Sequence, residues 1–328
     1  MTPKNLLAAL AAVLLFSAHN SIAQVLFSDN FDLDTSANWT INQTSTDTAA
    51  TFAYDYSAMG IPSAPNSIGG TTLGLKLEAN NIAPASGEAI SVSPIGQSFT
   101  GDYSLRFDMW ININGPFPGG GAGSTLYLSA GIGTTGTNAQ WTGAGSTADG
   151  AWFAVDGEGG AAAATSADFR AHRSGALQTV GSGTYAAGAT GNPRDNTNAY
   201  YTATFPGGQT APASQIAAYP GPGAGTNQTG ALAIGTVGFA WRDVVITKLG
   251  NDVIWSIDGL TIATLTNAVL AGDNIFVGFY DIFTTSITDN PAVSFGVVDN
   301  LRVVPEPSTV ALGAVGAASL LLLRRRKT

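Results

Sequence analysis

A strict alternation of two kinds of side chain over residues 102–113 constrains the fold more than any other feature of this sequence. One set, all apolar or aromatic, is Tyr103, Leu105, Phe107, Met109, Ile111 and Ile113, and the other set is Ser104, Arg106, Asp108, Trp110 and Asn112. Because successive side chains of a strand point to opposite faces, the pattern predicts a long strand with one face on a core and the other facing outward.

Shorter β-branched runs separated by turn residues predict that the rest of the body is built in the same way. Residues 243–265 hold three such runs, divided by Gly250-Asn251-Asp252 and by Asp258-Gly259, which is typical of an antiparallel meander. No helical period in the body persists beyond about two turns. Roughly a dozen short strands with turns between them favour an all-β fold, a two-sheet antiparallel sandwich.

Two stretches rich in Gly, Ala and Thr interrupt the strand pattern, at residues 115–150 and 206–236. Their composition predicts long surface loops on one domain, with an interdomain linker as the alternative for residues 206–236. We therefore expect a single β-sandwich domain over residues 24–304.

Composition excludes several classes of function. The chain has 328 residues, no Cys, and 13 Lys and Arg against 22 Asp and Glu, for a formal net charge of −9. Without Cys there is no disulfide scaffold, thiolate zinc site or cysteine nucleophile. Clustered bases that would neutralise phosphates are missing from the body, so nucleic acid is not an expected partner.

The N-terminal residues 1–23 have the pattern of a secretory signal peptide. Lys4 precedes an apolar run over residues 6–16, and Ser21-Ile22-Ala23 supplies small residues for cleavage between Ala23 and Gln24. An uncut membrane anchor is the alternative. The apolar run is short for that role, because a span needs about 20 residues.

The C-terminal residues 305–328 combine three features in a fixed order. Val304-Pro305-Glu306-Pro307-Ser308 comes first, then an apolar run over residues 309–323, then Arg324, Arg325, Arg326 and Lys327. The two prolines predict an extended linker that is open to a protease. The apolar run is about 22 Å long as a helix, enough for a short transmembrane helix. The basic cluster stops transfer on the cytoplasmic side, so the body lies outside.

This tail resembles the PEP-CTERM sorting signal of Gram-negative bacteria that produce exopolysaccharide. The resemblance implies that the inner membrane holds the precursor until an exosortase cuts near Pro305, Glu306 and Pro307, and that the body is then released or attached to the cell surface. A plain C-terminal membrane anchor is the alternative.

Three short segments of the body resemble concanavalin A-like jelly-roll domains. They are Phe27-Ser28-Asp29-Asn30-Phe31-Asp32 with Trp39 after it, Val253-Ile254-Trp255-Ser256-Ile257-Asp258-Gly259, and Val298-Asp299-Asn300-Leu301-Arg302-Val303. The resemblance implies that the first and last strands of the body lie side by side.

Candidate catalytic groups are few. Asp156 and Glu158 have an i, i+2 spacing that would place two carboxylates on one strand face, at a separation a retaining glycosidase could use. His172 alternates with Asp168 and Arg170, which predicts one polar strand face. Solvated acids at a turn and a solvated polar face are the alternatives. We expect no enzyme, since no Gly-x-Ser-x-Gly turn or histidine cluster accompanies these residues.

A structural calcium ion is the one cofactor that the residues suggest. Asp29, Asp32 and Asp34 near the first strand could meet Asp299 on the last strand and provide the oxygen ligands that Ca²⁺ requires. The alternative is that these acids cap turns.

The outward set Arg106, Asp108, Trp110 and Asn112 could bind carbohydrate, because an indole stacks on a sugar face while polar groups pair with its hydroxyls. Burial of Trp110 under a Gly-rich loop is the alternative. The sequence as a whole favours an exported, non-catalytic surface or matrix protein, with exopolysaccharide as a candidate ligand. A glycan-active enzyme and a purely structural matrix protein are the other two hypotheses.

Overall fold

A computed structural model describes residues 24–82, 88–121, 123–143, 145–159, 168–221, 227–283 and 290–306 of the chain. Residues 1–23 and 307–328 lie outside this range. The predicted signal peptide, apolar C-terminal run and basic cluster Arg324–Lys327 therefore have no structural account. None of the helices in the described ranges is long and apolar enough to cross a membrane.

The described residues form two antiparallel sheets, as the sequence predicts. The strands are β1 Phe27–Asp29, β2 Trp39–Gln43, β3 Thr48–Asp55, β4 Leu73–Ala79, β5 Ala89–Pro94, β6 Tyr103–Asn112, β7 Leu126–Thr134, β8 Ala151–Asp156, β9 Phe169–Arg173, β10 Ala176–Leu177, β11 Arg242–Leu249, β12 Asp252–Ile257, β13 Leu260–Leu265, β14 Asn274–Asp281 and β15 Phe295–Pro305. Helices α1, Ala199–Thr202, and α2, Ala213–Ala218, are short.

The first sheet has the order β13-β12-β11-β6-β15-β4-β3, with β1 also paired to β15. The alternating segment forms its central strand β6, and the predicted meander forms the neighbouring β11, β12 and β13. The predicted pairing of the terminal strands is confirmed, since Phe27 lies opposite Val303 and Asp29 opposite Leu301.

The second sheet has the order β10-β9-β8-β7-β14-β5-β2, and its strands alternate in direction throughout. Side chains of both sheets meet in a core of buried residues. It includes Leu105 and Phe107 of β6 and Leu128 and Phe279 of the second sheet. The rings of Phe153 and Trp255 stack between the sheets with centroids 5.2 Å apart.

The two Gly-rich stretches are not simple surface loops. Residues 115–150 contain β7, a central strand that is buried along its whole length. Small residues favour this position, because a Cβ on Gly131 would lie 2.6 Å from the ring of Phe276. Residues 206–236 contain α2 and the buried side chains of Gln215, Gln228 and Leu232. Small residues therefore permit close packing here instead of indicating exposure.

Candidate ligand-binding site

The outward face of β6 is covered, which corrects the prediction of an open carbohydrate face. Trp110 is only 5% exposed, and its ring centroid lies 5.8 Å from that of Trp241. Asn112 donates to Gln215 Oε1 at 3.0 Å and to the Val293 carbonyl at 2.7 Å. The structure thus shows Trp110 buried, as in the alternative that the sequence left open, with Trp241 beside it.

Asp108 and Arg106 have separate roles on the same face. Asp108 is buried and accepts hydrogen bonds from Asn66 and Asn300, whose side-chain nitrogens lie at 2.7 and 2.9 Å. Arg106 is partly exposed and pairs with Glu306 near the end of the described chain. The four predicted sugar-binding residues therefore do not form one exposed surface.

The three acids at the first strand are engaged in local turns. Asp29 accepts from Phe31 N at 2.9 Å, Thr35 Oγ1 at 2.6 Å and Trp39 Nε1 at 2.9 Å. Asp32 accepts from the side chain of Asn30. Asp34 accepts from the amide of Ser36, and hydrogen bonds from that residue lower the pKa of Asp34. This arrangement matches the turn-capping alternative.

Asp299 is held by a different set of donors. Its carboxylate accepts from Tyr56 Oη at 3.0 Å and Ser67 Oγ at 2.9 Å, and burial raises its pKa to about 6. Across the described ranges, no group of three His, Cys, Asp or Glu residues could hold a metal ion. The expected calcium ligand set of Asp29, Asp32, Asp34 and Asp299 is therefore not assembled.

A cavity of about 710 Å³ opens where β1 meets the end of β15. Its size falls in the range of small-molecule sites in proteins. Its walls come from residues 27–38, the 66–68 turn, the 95–97 turn and residues 300–302. Most of its polar lining consists of side-chain amides: Asn30, Asn38, Asn66, Gln97 and Asn300.

A β-bulge shapes one wall of the cavity. The pairing of β15 with β6 shifts between Asp299 and Arg302, so that one extra residue lies on β15. Asn300 has φ of 53°, a left-handed conformation that Asn tolerates better than most residues. Bulges redirect side chains and are frequent beside functional sites. Here Asn300 and Arg302 both line the cavity.

Several cavity groups are available to a ligand. Within the described part of the chain, the side chains of Asn38, Gln97 and Arg302 make no hydrogen bond or ion pair with another residue. Ile68, 88% exposed, and Ile95, 53% exposed, add apolar surface at the opening. The cavity therefore combines neutral donors and acceptors with aliphatic contacts.

A second cluster, which includes Tyr127, Trp152, Asp156 and His172, lies on the outer face of the seven-stranded sheet. Strand register places Asp156 beside Tyr127, and His172 beside Trp152. The rings of Trp152 and His172 stack with centroids 3.8 Å apart. Burial strongly lowers the pKa of His172, with nearby Arg170 adding to the effect. His172 is therefore neutral at physiological pH.

Asp156 and Glu158 do not share a strand face, which corrects that prediction. β8 ends at Asp156, whose Oδ1 accepts from Glu158 N at 2.7 Å and from Gly159 N at 3.0 Å in a tight turn. Burial raises the pKa of Asp156 to about 6. It raises the pKa of Glu158 and Asp168 well above their ordinary values, with the charge of Asp156 adding to both shifts.

The predicted solvated face of Asp168, Arg170 and His172 is also buried.

The chain carries a match to the PEP-CTERM protein-sorting motif over residues 303–327. This confirms the sorting signal that the C-terminal residues predict, and it implies an exported precursor. The match begins inside β15, so the sorting motif and the folded body overlap. A search of curated proteins found no match.

Several solved structures are similar in architecture. A protein of unknown function with a galectin-like fold from Bacillus subtilis is 11% identical, covers 86% of this chain and 96% of its own, and has a TM-score of 0.37. The VIP36 exoplasmic/lumenal domain in a Ca²⁺/Man-bound form is 8% identical, with coverages of 82% and 83% and a TM-score of 0.40. The metal-free carbohydrate recognition domain of Emp46p is 9% identical, with coverages of 85% and 96% and a TM-score of 0.38. At such values these structures carry no information on the ligand of this chain.

Proposed function

We propose that the protein is an exported, non-catalytic polysaccharide-binding protein of the cell surface or extracellular matrix. Its sugar-binding site is the cavity between β1 and the bulge of β15. The observation that carries the proposal is the lining of this cavity, in which neutral amides outnumber charged groups.

Amide side chains suit polysaccharide hydroxyls for a simple reason. Asn38 and Gln97 each offer two donors and an acceptor, so they can pair with neighbouring hydroxyls that both donate and accept. Asn66 and Asn300 already donate to Asp108 and hold the cavity wall in place. Ile68 and Ile95 can pack against the C–H faces of a sugar ring. The guanidinium of Arg302 would favour an acidic sugar, since it is a fixed cation with several donors.

Sorting by an exosortase-type protease would place this cavity where such a ligand occurs. The inner membrane would hold the precursor by its apolar tail, and cleavage would release the body to the cell surface. The exopolysaccharide of the producing organism is therefore the first ligand to test.

The test compares residues 24–306 with the double variant Asn38→Ala/Gln97→Ala in pull-down and calorimetry on that exopolysaccharide. Neither side chain bonds another described residue, so the fold should be kept. Loss of two hydrogen bonds of about 1 kcal/mol each predicts an affinity at least tenfold weaker.

The control is Asn251→Ala/Gln43→Ala, which removes one exposed Asn and one exposed Gln outside the cavity. It should bind as the unmodified protein does. Equal binding by both double variants would show that the cavity is not the site. No binding by the unmodified protein would favour a purely structural matrix protein.

A glycan-active enzyme is a second candidate, favoured by the raised pKa of Glu158. A raised pKa is what a general acid requires, and Asp156 is in contact, since its Oδ1 accepts from Glu158 N at 2.7 Å. Release of reducing sugar that disappears in Glu158→Gln would establish this activity. Our leading proposal predicts no release by either protein.

A further inference from the structure

The first residues of the sorting motif are part of the folded sheet. Pro305 is the last residue of β15 and lies opposite Tyr103 of β6. Glu306 continues the pairing, since its amide donates to the Asp102 carbonyl at 3.0 Å. The expectation that an open linker begins at Pro305 is therefore wrong for these two residues.

The strand that leads into the motif has neighbours on both sides. Val303 lies opposite Leu105 of β6 and opposite Phe27 of β1. Its carbonyl also accepts from Leu26 N at 2.8 Å. The backbone is therefore paired on both sides up to Val303, and Pro305 and Glu306 stay paired with the β6 side. A protease that binds its substrate as an extended strand needs these residues to detach first.

The side chain of Glu306 is also engaged. Its Oε1 accepts from Ser104 Oγ and from Arg106 Nη2, the latter at 3.4 Å. The carboxylate side chain is 20% exposed and the arginine side chain 36% exposed. Ser104 and Arg106 are alternate residues of β6, so their side chains lie on the same face of the sheet. Both contact Glu306 there.

We propose that the body conceals its own sorting motif, and that the end of β15 must detach from β6 before the tail can be processed. Ser104 and Arg106 act as a clamp on Glu306. The proposal rests on the proposed sorting of the precursor and is independent of sugar binding. Processing then follows the fraction of molecules in which residues 304–306 are released, so the fold of the body sets its rate.

The first test follows processing of the full-length precursor by pulse–chase in the producing organism. Ser104→Ala/Arg106→Ala leaves the motif unchanged and should be processed at least threefold faster. Glu78→Gln is the matched control, because it removes the Lys76–Glu78 ion pair, 2.8 Å, from β4 of the same sheet. The control should be processed at the original rate.

Hydrogen exchange separates local release from general destabilisation. The proposal predicts faster exchange at Glu306 in Ser104→Ala/Arg106→Ala, with exchange in β7 and β14 unchanged. Unchanged or slower processing of this variant would overturn the proposal. So would faster processing accompanied by faster exchange throughout the core.

The second test closes the clamp covalently. Ser104 and Val304 are directly opposite on β6 and β15, and the chain has no Cys of its own. Ser104→Cys/Val304→Cys should therefore form a single cross-strand disulfide outside the cytoplasm, since opposed strand positions lie within disulfide reach. The oxidised precursor should be processed at least tenfold more slowly, and a reductant should restore the rate.

Processing of the disulfide-bonded precursor at the unmodified rate would overturn concealment. If the unmodified precursor is never processed, the proposed sorting fails instead. The two failures are therefore distinguishable.

Discussion

Trp110→Ala is expected to lower the free energy of unfolding by about 3–5 kcal/mol, because the loss of a buried indole leaves a large cavity in the core. The indole is 5% exposed, packs near Trp241, and donates from Nε1 to Asn112 Oδ1 at 3.3 Å. Denaturant unfolding of residues 24–306 measures the change. Because Trp110 is outside the amide-lined cavity, the folded variant should retain its polysaccharide affinity.

The control for this prediction is Leu33→Ala, since Leu33 is 73% exposed. Its effect on the free energy of unfolding should stay within about 0.5 kcal/mol. If Trp110→Ala is as mild as Leu33→Ala and weakens sugar binding, then the face of β6 is the binding surface and our assignment of the cavity is wrong.

The body is expected to be more stable at pH 6 than at pH 8, by roughly 2 kcal/mol. Burial raises the pKa of Asp281 to about 7 and the pKa of Asp156 and Asp299 to about 6. In the unfolded chain these carboxyls ionise near pH 4. The folded state therefore binds more protons over pH 4–7, and its stability falls as the pH rises through this window.

His172 acts in the opposite direction. Burial lowers its pKa, so below about pH 6.5 His172 binds a proton in the unfolded chain but not in the folded chain. This histidine therefore makes the folded state less stable as the pH falls. Five buried carboxyls have raised pKa values and act against this one histidine: Asp281, Asp156, Asp299, Glu158 and Asp168. The pH of maximum stability should therefore lie on the acidic side of neutrality. The measurement is the denaturation midpoint from pH 5 to pH 8.5.

Asp281→Asn is the control for the pH prediction. It removes the carboxyl with the highest pKa value among these three, so the decline in stability between pH 6 and pH 8 should become shallower. Stability that rises steadily from pH 6 to pH 8 would mean that these carboxyls are ionised in the folded protein.

The strands were predictable because their signal is local. The alternation of β6 and the turns of the β11–β13 meander follow from neighbouring residues alone. The covering of the outer face of β6 could not be predicted in the same way. It depends on contacts between distant residues, such as Asn112 and Gln215, which are 103 positions apart. The same alternation is compatible with an open face or a covered one.

The candidate ligand-binding cavity could hardly be predicted from the sequence. Its amides lie in four separate segments, and no local pattern marks them as one site. The one local signal was the Asp299-Asn300 pair within a β-run, where a residue that tolerates left-handed backbone forms the bulge. The two prolines predict an open linker, but a strand can end on Pro305 because its missing N–H is not needed there.

The most direct test of the polysaccharide-binding cavity is an NMR titration of residues 24–306 with fragments of the producer's exopolysaccharide. We expect the side-chain amide signals of Asn38, Asn66, Gln97 and Asn300 to shift together and saturate, while the indole signal of Trp152 stays in place. Saturable shifts at Trp152 and around Glu158, with the cavity amides unmoved, would contradict it.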